Sequence, residues 1–207
     1  GAGGPKDEAT AALYYKKSLQ TWKKEADDGD SKAALWAALV YERKLVPDSS
    51  PEKSVPYLLQ AAESGNLTAQ GLLAFKYRDG LGVPQDAAKA VEWFEKAASR
   101  KDLGAVMELG IMFRDGKYLP PDREKAFHWF EKGAEWKDPY SMAALADMLL
   151  EGTPSAEQAA RALALYREAA AAGYFPAALK AAELLQNGKG GELDADEAYR
   201  LLRRVAD

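Results

Sequence analysis

The 207-residue sequence contains no cysteine and only one histidine, His128. Without cysteine the chain can form no disulfide, thiolate nucleophile, iron–sulfur cluster or cysteine-ligated zinc site. One histidine is too few for a histidine-rich metal site, and a serine–histidine triad built on His128 would lack a nucleophile-elbow motif. We therefore expect no catalytic residue, no metal and no cofactor.

The sequence also lacks an excess of basic charge and a long apolar run. Its formal net charge is −4, so it does not have the positive charge that draws proteins to nucleic acid. No segment approaches the roughly 18 uninterrupted apolar residues of a membrane span, and we expect no membrane insertion. Residues 1–8 include no initiator methionine, and we expect them to be a disordered tag remnant or a mature N-terminus.

Alanine, by contrast, is abundant and occupies 40 of the 207 positions. Because alanine has the highest intrinsic helix propensity and long β-branched runs are absent, a mostly helical chain is predicted. Six alanines recur every 36 residues without insertion or deletion: Ala26, Ala62, Ala98, Ala134, Ala170 and Ala206. A fixed period of this length is typical of a solenoid built from repeated helical units.

Other positions keep the same period. Four residues before each of these alanines, on the same helical face, the sequence has Trp22, Leu58, Phe94, Phe130, Tyr166 and Leu202. Small residues that predict close helix contacts recur at Ala33, Ala69, Ala105, Ser141 and Ala177. Glycines expected to end a helix in the left-handed conformation recur at Gly80, Gly116, Gly152 and Gly188.

These columns predict repeats in which helix A, a turn and helix B follow one another. An N-terminal helix is predicted over residues 9–28, and five repeats are predicted to start near residues 31, 67, 103, 139 and 175. Residues 9–207 would then form a single solenoid. Asp86, Asp122 and Asp194 are suitable N-caps for B helices, whereas the fourth repeat has Gln158 at that position, which would be a weaker cap.

The second and third repeats share a fuller motif. Residues 69–98 contain Ala69, Leu73, Tyr77, Gly80, Gly82, Val83, Asp86, Lys89, Ala90, Trp93, Lys96 and Ala98. Residues 105–134 contain Ala105, Leu109, Gly110, Phe113, Gly116, Asp122, Lys125, Ala126, Trp129, Lys132 and Ala134. This pattern resembles the Sel-one-like repeat (SLR) family. The SLR family is related to the tetratricopeptide repeats, which have a shorter period of about 34 residues.

The resemblance implies an all-α fold, a right-handed α-solenoid of antiparallel helix pairs. It also implies a non-catalytic scaffold or adaptor for protein–protein interaction, typically bacterial, in a cell-envelope, secretion or signalling system. A periplasmic or envelope location is favoured over a cytoplasmic one. The partner is expected to be a protein or peptide. The fold alone does not identify it more closely.

Helical geometry and the period together predict which side chains face the concave surface, where a partner helix or peptide would bind. The predicted partner-binding residues are Leu35, Leu39, Glu42, Phe75, Arg78, Met107, Ile111, Arg114 and Asp147. Leu39, Phe75 and Ile111 would form an apolar stripe beside the two arginines. Alternatively, these three side chains are ordinary packing between helices.

Trp36 and Trp136 do not recur with the repeat, and they are possible binding anchors because tryptophan is enriched at interface hot spots. Trp22, Trp93 and Trp129 do follow the repeat, and we expect them to be packing residues. Two alternative functions remain open. One is an immunity protein that neutralises a secreted antibacterial toxin. The other is an enzyme with a carboxylate pair, Asp147 and Glu183, in the groove.

Overall fold

The chain folds into α-helices that pack closely on one another through small residues. The computed structural model describes the backbone of residues 8–188 and 193–206, and the side chains of residues 10–188 and 193–203. Apart from Glu8, the N-terminal segment predicted to be disordered lies outside the described residues. The helices are α1 Glu8–Asp27, α2 Ser31–Glu42, α3 Pro51–Glu63, α4 Leu67–Asp79, α5 Ala87–Ala98, α6 Leu103–Asp115, α7 Arg123–Glu135, α8 Pro139–Leu149, α9 Ala156–Ala171, α10 Phe175–Asn187 and α11 Ala195–Ala206.

The predicted period is visible in the helix boundaries. The A helices are α2, α4, α6, α8 and α10, and they begin at Ser31, Leu67, Leu103, Pro139 and Phe175, which are 36 residues apart. The described part of the chain contains eleven helices and no strand. The prediction of an all-α fold made of helix pairs with a 36-residue repeat is therefore confirmed.

The chain forms two compact units, residues 1–105 and 106–207, called here the N-terminal and C-terminal units. In the N-terminal unit α2 packs on α1 and α3, and α4 packs on α3 and α5. In the C-terminal unit α8 packs on α7 and α9, and α10 packs on α9 and α11. Each A helix named here thus lies against the B helices that precede and follow it.

The core of each unit consists of the residue columns that the period predicts. The large apolar column is fully buried in the B helices at Leu58, Phe94, Phe130 and Tyr166. The small column at the start of helix A is also buried, at Ala33, Ala69, Ala105, Ser141 and Ala177. Trp93 and Trp129 are buried as well, as expected of packing residues.

Most of the predicted helix ends are present, and Gly80 and Gly188 are the left-handed C-caps of α4 and α10. Gly116, Gly152 and Lys44 also have positive φ at this repeat position, but α8 ends before Gly152, with Leu150 as its C-cap. Asp86 and Asp122 cap α5 and α7 through the backbone N–H groups of Lys89 and Lys125.

The prediction for the fourth repeat was wrong. The N-cap of α9 is Ser155, three residues before the expected position, and Gln158 completes a capping box with it. This box satisfies two free backbone donors at once, so it stabilises an earlier helix start better than Gln158 alone would stabilise the later one. Because α8 also ends early, the loop between α8 and α9, residues 150–155, is only one residue shorter than the loops at 80–86 and 116–122.

One buried charge replaces an apolar residue in the N-terminal unit. Lys76 is only 3% exposed, at the position occupied in other repeats by buried apolar side chains: Val40, Met112, Met148 and Leu184. Its ammonium group pairs with the Glu42 carboxylate at 2.7 Å and donates to the carbonyl oxygens of Pro51 and Leu81 at 3.3 and 3.2 Å. The Ser54 hydroxyl also donates to Glu42. These bonds connect α2, α3, α4 and the loop after α4.

Another compensation occurs between α7 and α8. A Cβ atom added to Gly133 would collide with the hydroxyl oxygen and the Cβ atom of Ser141. At the same two positions of neighbouring repeats the chain has buried alanine pairs, Ala61 with Ala69 and Ala169 with Ala177. Glycine on α7 therefore makes room for the larger serine on α8.

This compensation predicts strongly non-additive mutations. Gly133→Ala should destabilise the protein by about 1–2 kcal/mol, because overpacking exceeds the gain in helix propensity. Adding Ser141→Ala should restore most of that loss, because it recreates the alanine pair of the other repeats. Urea unfolding of the two single variants and the double variant measures the coupling, and additive effects would show that the two side chains do not compete for space.

The buried ion pair predicts an asymmetry between its two partners. Glu42→Ala should destabilise by about 3 kcal/mol, because it leaves the buried Lys76 ammonium without a counter-ion. Lys76→Met should cost less than about 1 kcal/mol, because methionine suits this apolar position and the Glu42 side chain, 26% exposed, still reaches water. Thermal and urea unfolding test the ranking, and an equal or reversed order would contradict it.

Candidate partner-binding site

The predicted apolar residues of the N-terminal unit lie on α2 and α4. Leu35, Leu39 and Phe75 are all half-buried. The Phe75 ring meets the buried Phe94 ring edge-on, with centroids 5.1 Å apart and planes at 86°. Each of these side chains therefore contributes to packing and also leaves apolar surface exposed on the A helices.

The arginines beside this surface are held by the neighbouring aspartates. Arg78 forks the Asp79 carboxylate, with Nε–Oδ1 and Nη2–Oδ2 distances of 2.9 and 2.8 Å, and lies 4.7 Å from the centroid of the Phe75 ring. In the C-terminal unit Arg114 donates to Asp115 at 2.6 Å, and this bond raises the pKa of the Arg114 guanidinium. An acidic partner group would have to compete with these aspartates.

The other predicted residues of the N-terminal unit have different surroundings. Glu42 forms the internal ion pair with Lys76, and its assignment to partner binding stays a prediction. Trp36 is 52% exposed, and its ring stacks on the half-buried Trp22 ring, with centroids 5.9 Å apart and planes at 26°. The stack fixes the orientation of a large exposed aromatic side chain.

The C-terminal unit contains the remaining predicted residues. Met107 and Ile111 on α6 are half-buried, as is Trp136, which directly follows α7 as its C-cap. Asp147 on α8 accepts a hydrogen bond from the Tyr166 hydroxyl and an ion pair from Lys180, both at Oδ1. Asp147 also lines a cavity between α8, α9 and α10.

Tyr166 illustrates the effect of this cluster on a buried group. Its side chain is 1% exposed on α9, and its only polar atom donates to a carboxylate. Burial, followed by the hydrogen bond and the negative charge of Asp147, raises the pKa of Tyr166 well above its usual value of 10.0. The phenol therefore stays protonated, and remains a hydrogen-bond donor to Asp147, in alkaline solution where an exposed tyrosine would ionise.

The cavity beside this cluster has a volume of about 550 Å³ and lies between α8, α9, α10 and the loop that joins α8 to α9. Its apolar lining comes from Leu150, Pro154, Ala156, Ala159 and Leu184. Its polar lining comes from Asp147, Ser155, Tyr166, Lys180, Glu183 and Asn187. Cavities of this size are typical of sites that bind small molecules or the side chains of a partner.

A smaller cavity, of about 130 Å³, shares Asp147 and Lys180 with the larger one. It is also lined by Arg114, Tyr140 and Tyr174. The two tyrosine rings meet edge-on, with centroids 6.1 Å apart and planes at 76°. Asp147 and Lys180 thus lie at the junction of two adjoining cavities in the C-terminal unit.

The carboxylate pair of the enzyme alternative, Asp147 and Glu183, lines the larger cavity. Asp147 already pairs with the Lys180 ammonium and accepts the Tyr166 hydroxyl, and Glu183 is exposed.

Elsewhere, His128 is exposed and its ring meets that of Trp129 edge-on, with centroids 5.4 Å apart. Among the described side chains no group of three or more metal-ligating residues comes together. No described helix has both the length and the apolar character needed to cross a membrane.

Sequence reasoning missed three residues of this region: Tyr166, Lys180 and Tyr174. Tyr166 occupies the buried aromatic column, and nothing in the period indicates that its hydroxyl reaches Asp147. Tyr174 had a detectable signal, because the equivalent positions are the helix N-caps Asp30, Asn66, Asp102 and Asp138. The structure gives α10 no side-chain cap at Tyr174, which instead lines the smaller cavity.

The raised pKa of Tyr166 predicts how stability depends on pH. In the unfolded chain this phenol ionises near its usual pKa, whereas the folded chain keeps it protonated. Its stabilising contribution is therefore complete below about pH 10 and falls as the pH rises above that value. The difference in unfolding free energy between wild type and Tyr166→Phe should shrink between pH 9 and pH 11, and a constant difference would contradict the assignment.

Comparisons with known proteins agree with the repeat. A model of the Sel1 repeat family matches residues 1–20, 32–66, 68–102, 104–135, 139–174 and 176–207. A protective antigen of uropathogenic Escherichia coli strains, with an SLR fold, is 25% identical and has a TM-score of 0.75 over 97% of this chain. This chain spans only 46% of the antigen's length.

A Sel1 repeat protein from Oxalobacter formigenes is 24% identical, with a TM-score of 0.76, over 94% of this chain and 84% of its own. An immunity protein from Pseudomonas aeruginosa is 21% identical over 88% of this chain and 63% of its own. Its TM-score is 0.45, too low to support an argument about function. No curated protein is significantly similar. Because the family matches extend over most of the sequence, the chain belongs to the Sel1 repeat family.

Proposed function

We propose that this protein is a non-catalytic adaptor that binds a helix or an extended peptide of a partner protein on the concave face formed by its A helices. Sel1 repeat proteins generally mediate protein–protein interaction. The contacting residues would be Leu35, Leu39, Glu42, Phe75 and Arg78 in the N-terminal unit, and Met107, Ile111, Arg114 and Asp147 in the C-terminal unit.

The single observation that carries this proposal is the exposed Trp36 ring stacked on Trp22. A large aromatic side chain that is already ordered loses little conformational entropy when a partner covers it. Trp36 also has no counterpart in the repeat, since the equivalent residues are Leu72, Glu108, Ala144 and Lys180. A side chain that the repeat does not require, and that remains half exposed, is suited to a binding hot spot.

The aspartate partners of the two arginines refine the expected chemistry of binding. Since Arg78 and Arg114 are each paired with the next residue along the chain, neither adds a free positive charge to the A-helix face. Recognition on this face would therefore depend mainly on apolar contact with the exposed parts of Trp36, Leu39 and Phe75. This predicts an apolar or amphipathic partner segment.

The proposal also places the adaptor in a bacterial cell-envelope, secretion or signalling system. Support comes from the likeness to an Escherichia coli protein described as a protective antigen. The captured partner decides between this proposal and the immunity alternative. A component of an envelope or secretion complex supports the adaptor, whereas a secreted antibacterial toxin supports the immunity protein.

Trp36→Ala should weaken partner binding by at least about tenfold, as expected for a hot-spot tryptophan. The matched control is Leu81→Ala, since Leu81 has the same exposed fraction, 52%, but lies in the loop after α4. The partner is captured from cells of the source organism with the full chain as bait, identified, and titrated against each variant. Equal affinities for wild type and Trp36→Ala would contradict the role of Trp36.

The combined variant Phe75→Ala with Arg78→Ala tests the rest of the surface. Helicity and melting temperature are measured alongside affinity, because Phe75 also packs on Phe94. A loss of affinity with retained helicity is expected at a temperature where the variant is fully folded, and the melting temperature should fall because the contact between Phe75 and Phe94 is lost. Retained affinity in this variant and in Trp36→Ala would overturn binding on the A-helix face of the N-terminal unit.

A further inference from the structure

The loop of the fourth repeat differs from its counterparts in a way that exposes a binding site. In the second and third repeats the loops at 80–86 and 116–122 place a half-buried apolar residue, Val83 or Leu119, at the same repeat position. The fourth repeat has Ser155 there, and this serine is exposed. A branched apolar side chain has therefore been replaced by a short polar one.

The backbone changes at the same place. In the third repeat Asp122 donates its N–H to the Phe113 carbonyl at 2.8 Å, which holds the loop against the end of α6. In the fourth repeat the equivalent N–H, that of Gln158, donates to the Ser155 hydroxyl oxygen at 3.1 Å, inside the capping box. The residues that form extended loop in the third repeat become the first turn of α9.

The 550 Å³ cavity lies next to this altered loop. Pro154, Ser155 and Ala156 form one of its walls, and Leu150 and Leu184 provide much of its apolar surface. The site thus has a serine where the second and third repeats have an apolar residue, and it is lined on other sides by the apolar residues Leu150 and Leu184. Its volume also exceeds that of one leucine side chain, which leaves room for adjoining backbone.

The rim of the cavity has a net negative charge. The charges of Asp147 and Lys180 cancel because the two side chains form an ion pair. Glu183 is exposed and forms no ion pair with any described residue. An entering segment with a positive side chain would therefore gain a charge-assisted contact at Glu183, while an acidic segment would be repelled.

We infer that this cavity binds an extended segment of a partner protein, with a leucine-like side chain inside the cavity and a neighbouring lysine or arginine beside Glu183. The partner residue would supply the apolar side chain that the third repeat has at this position in Leu119 and the fourth repeat lacks at Ser155. This inference rests on the proposed function, since it gives the adaptor a second contact, in its C-terminal unit, for the same class of ligand. The site is separate from the Trp36 surface.

The chain itself supplies a suitable probe. The third-repeat loop, residues 117–122, has the sequence Lys-Tyr-Leu-Pro-Pro-Asp, which contains a leucine, a nearby lysine and two prolines that favour an extended backbone. The acetylated and amidated peptide is titrated into the ¹⁵N-labelled full chain, and amide shifts are followed by NMR. Saturable shifts at Ala156, Ala159, Leu184 and Asn187 are expected. Absence of saturable shifts there would overturn the inference.

Two peptide controls separate the apolar contact from the charged one. Replacing the leucine of the peptide by serine should weaken binding by about tenfold or more, because a buried leucine side chain is lost. Replacing its lysine by glutamate should also weaken binding, and more so at low ionic strength. Equal binding of all three peptides would contradict the assigned contacts.

Filling the cavity from within the chain gives the sharpest test. Ser155→Leu restores the residue type of the third repeat but removes the N-cap, whereas Ala156→Leu fills the same cavity with the cap intact. Both variants should weaken peptide binding by about tenfold or more while remaining folded. The matched control is Ala160→Leu, because Ala160 is exposed on the same helix and does not line the cavity. Unchanged binding by folded Ala156→Leu would overturn the inference.

Glu183→Gln tests the charged contact, with Glu157→Gln as its control on α9. Only Glu183→Gln should weaken binding of the lysine-containing peptide, and equal effects of the two variants would contradict the role of Glu183.

The captured partner then distinguishes the two proposals. If Trp36→Ala weakens partner binding and Ala156→Leu does not, the proposed function stands and the cavity assignment fails. If Ala156→Leu weakens it and Trp36→Ala does not, the cavity stands and the A-helix surface of the N-terminal unit fails.

Discussion

Adjacent helices of this protein approach one another so closely that the contact positions accept only very small side chains. Ala62 and Ala98 are buried at one such column, and Gly133 faces Ser141 where even one added carbon would collide. The close approach brings the large apolar column, from Leu58 to Tyr166, into contact with the neighbouring A helices. Since each contact recurs after 36 residues, the lengths of the helices and turns are constrained together.

Departures from the repeat are tolerated where the chain compensates for them. In the N-terminal unit the buried Lys76 is neutralised by Glu42 and by two backbone carbonyls, so a charge occupies an apolar position without an unsatisfied group. In the C-terminal unit Ser155 starts α9 early, and no side chain of the shortened loop fills the space beside it. The first departure is compensated by polar partners inside the fold, and the second leaves a cavity. The features best suited to binding, Trp36 and this cavity, both lie where the sequence departs from its own period.

The period predicted the fold well because it reports on burial, which is the dominant local constraint. It placed Phe94 and Tyr166 in the core and predicted the Asp86 and Asp122 caps. It failed at Gln158, because a capping box depends on two residues together and Ser155 lies outside the expected phase. Side-chain polar contacts were also out of reach: no spacing rule indicates that Arg78 pairs with its neighbour Asp79 on α4, or that the Tyr166 hydroxyl on α9 reaches Asp147 on α8.

Hydrogen–deuterium exchange of the full chain, with and without its captured partner, tests whether this chain binds through its A helices and through the cavity of the fourth repeat. Exchange should slow in residues 35–42, 71–78 and 150–159 when the partner binds in this way. Protection confined to the B helices α3, α5 and α7, with no change in these segments, would contradict it.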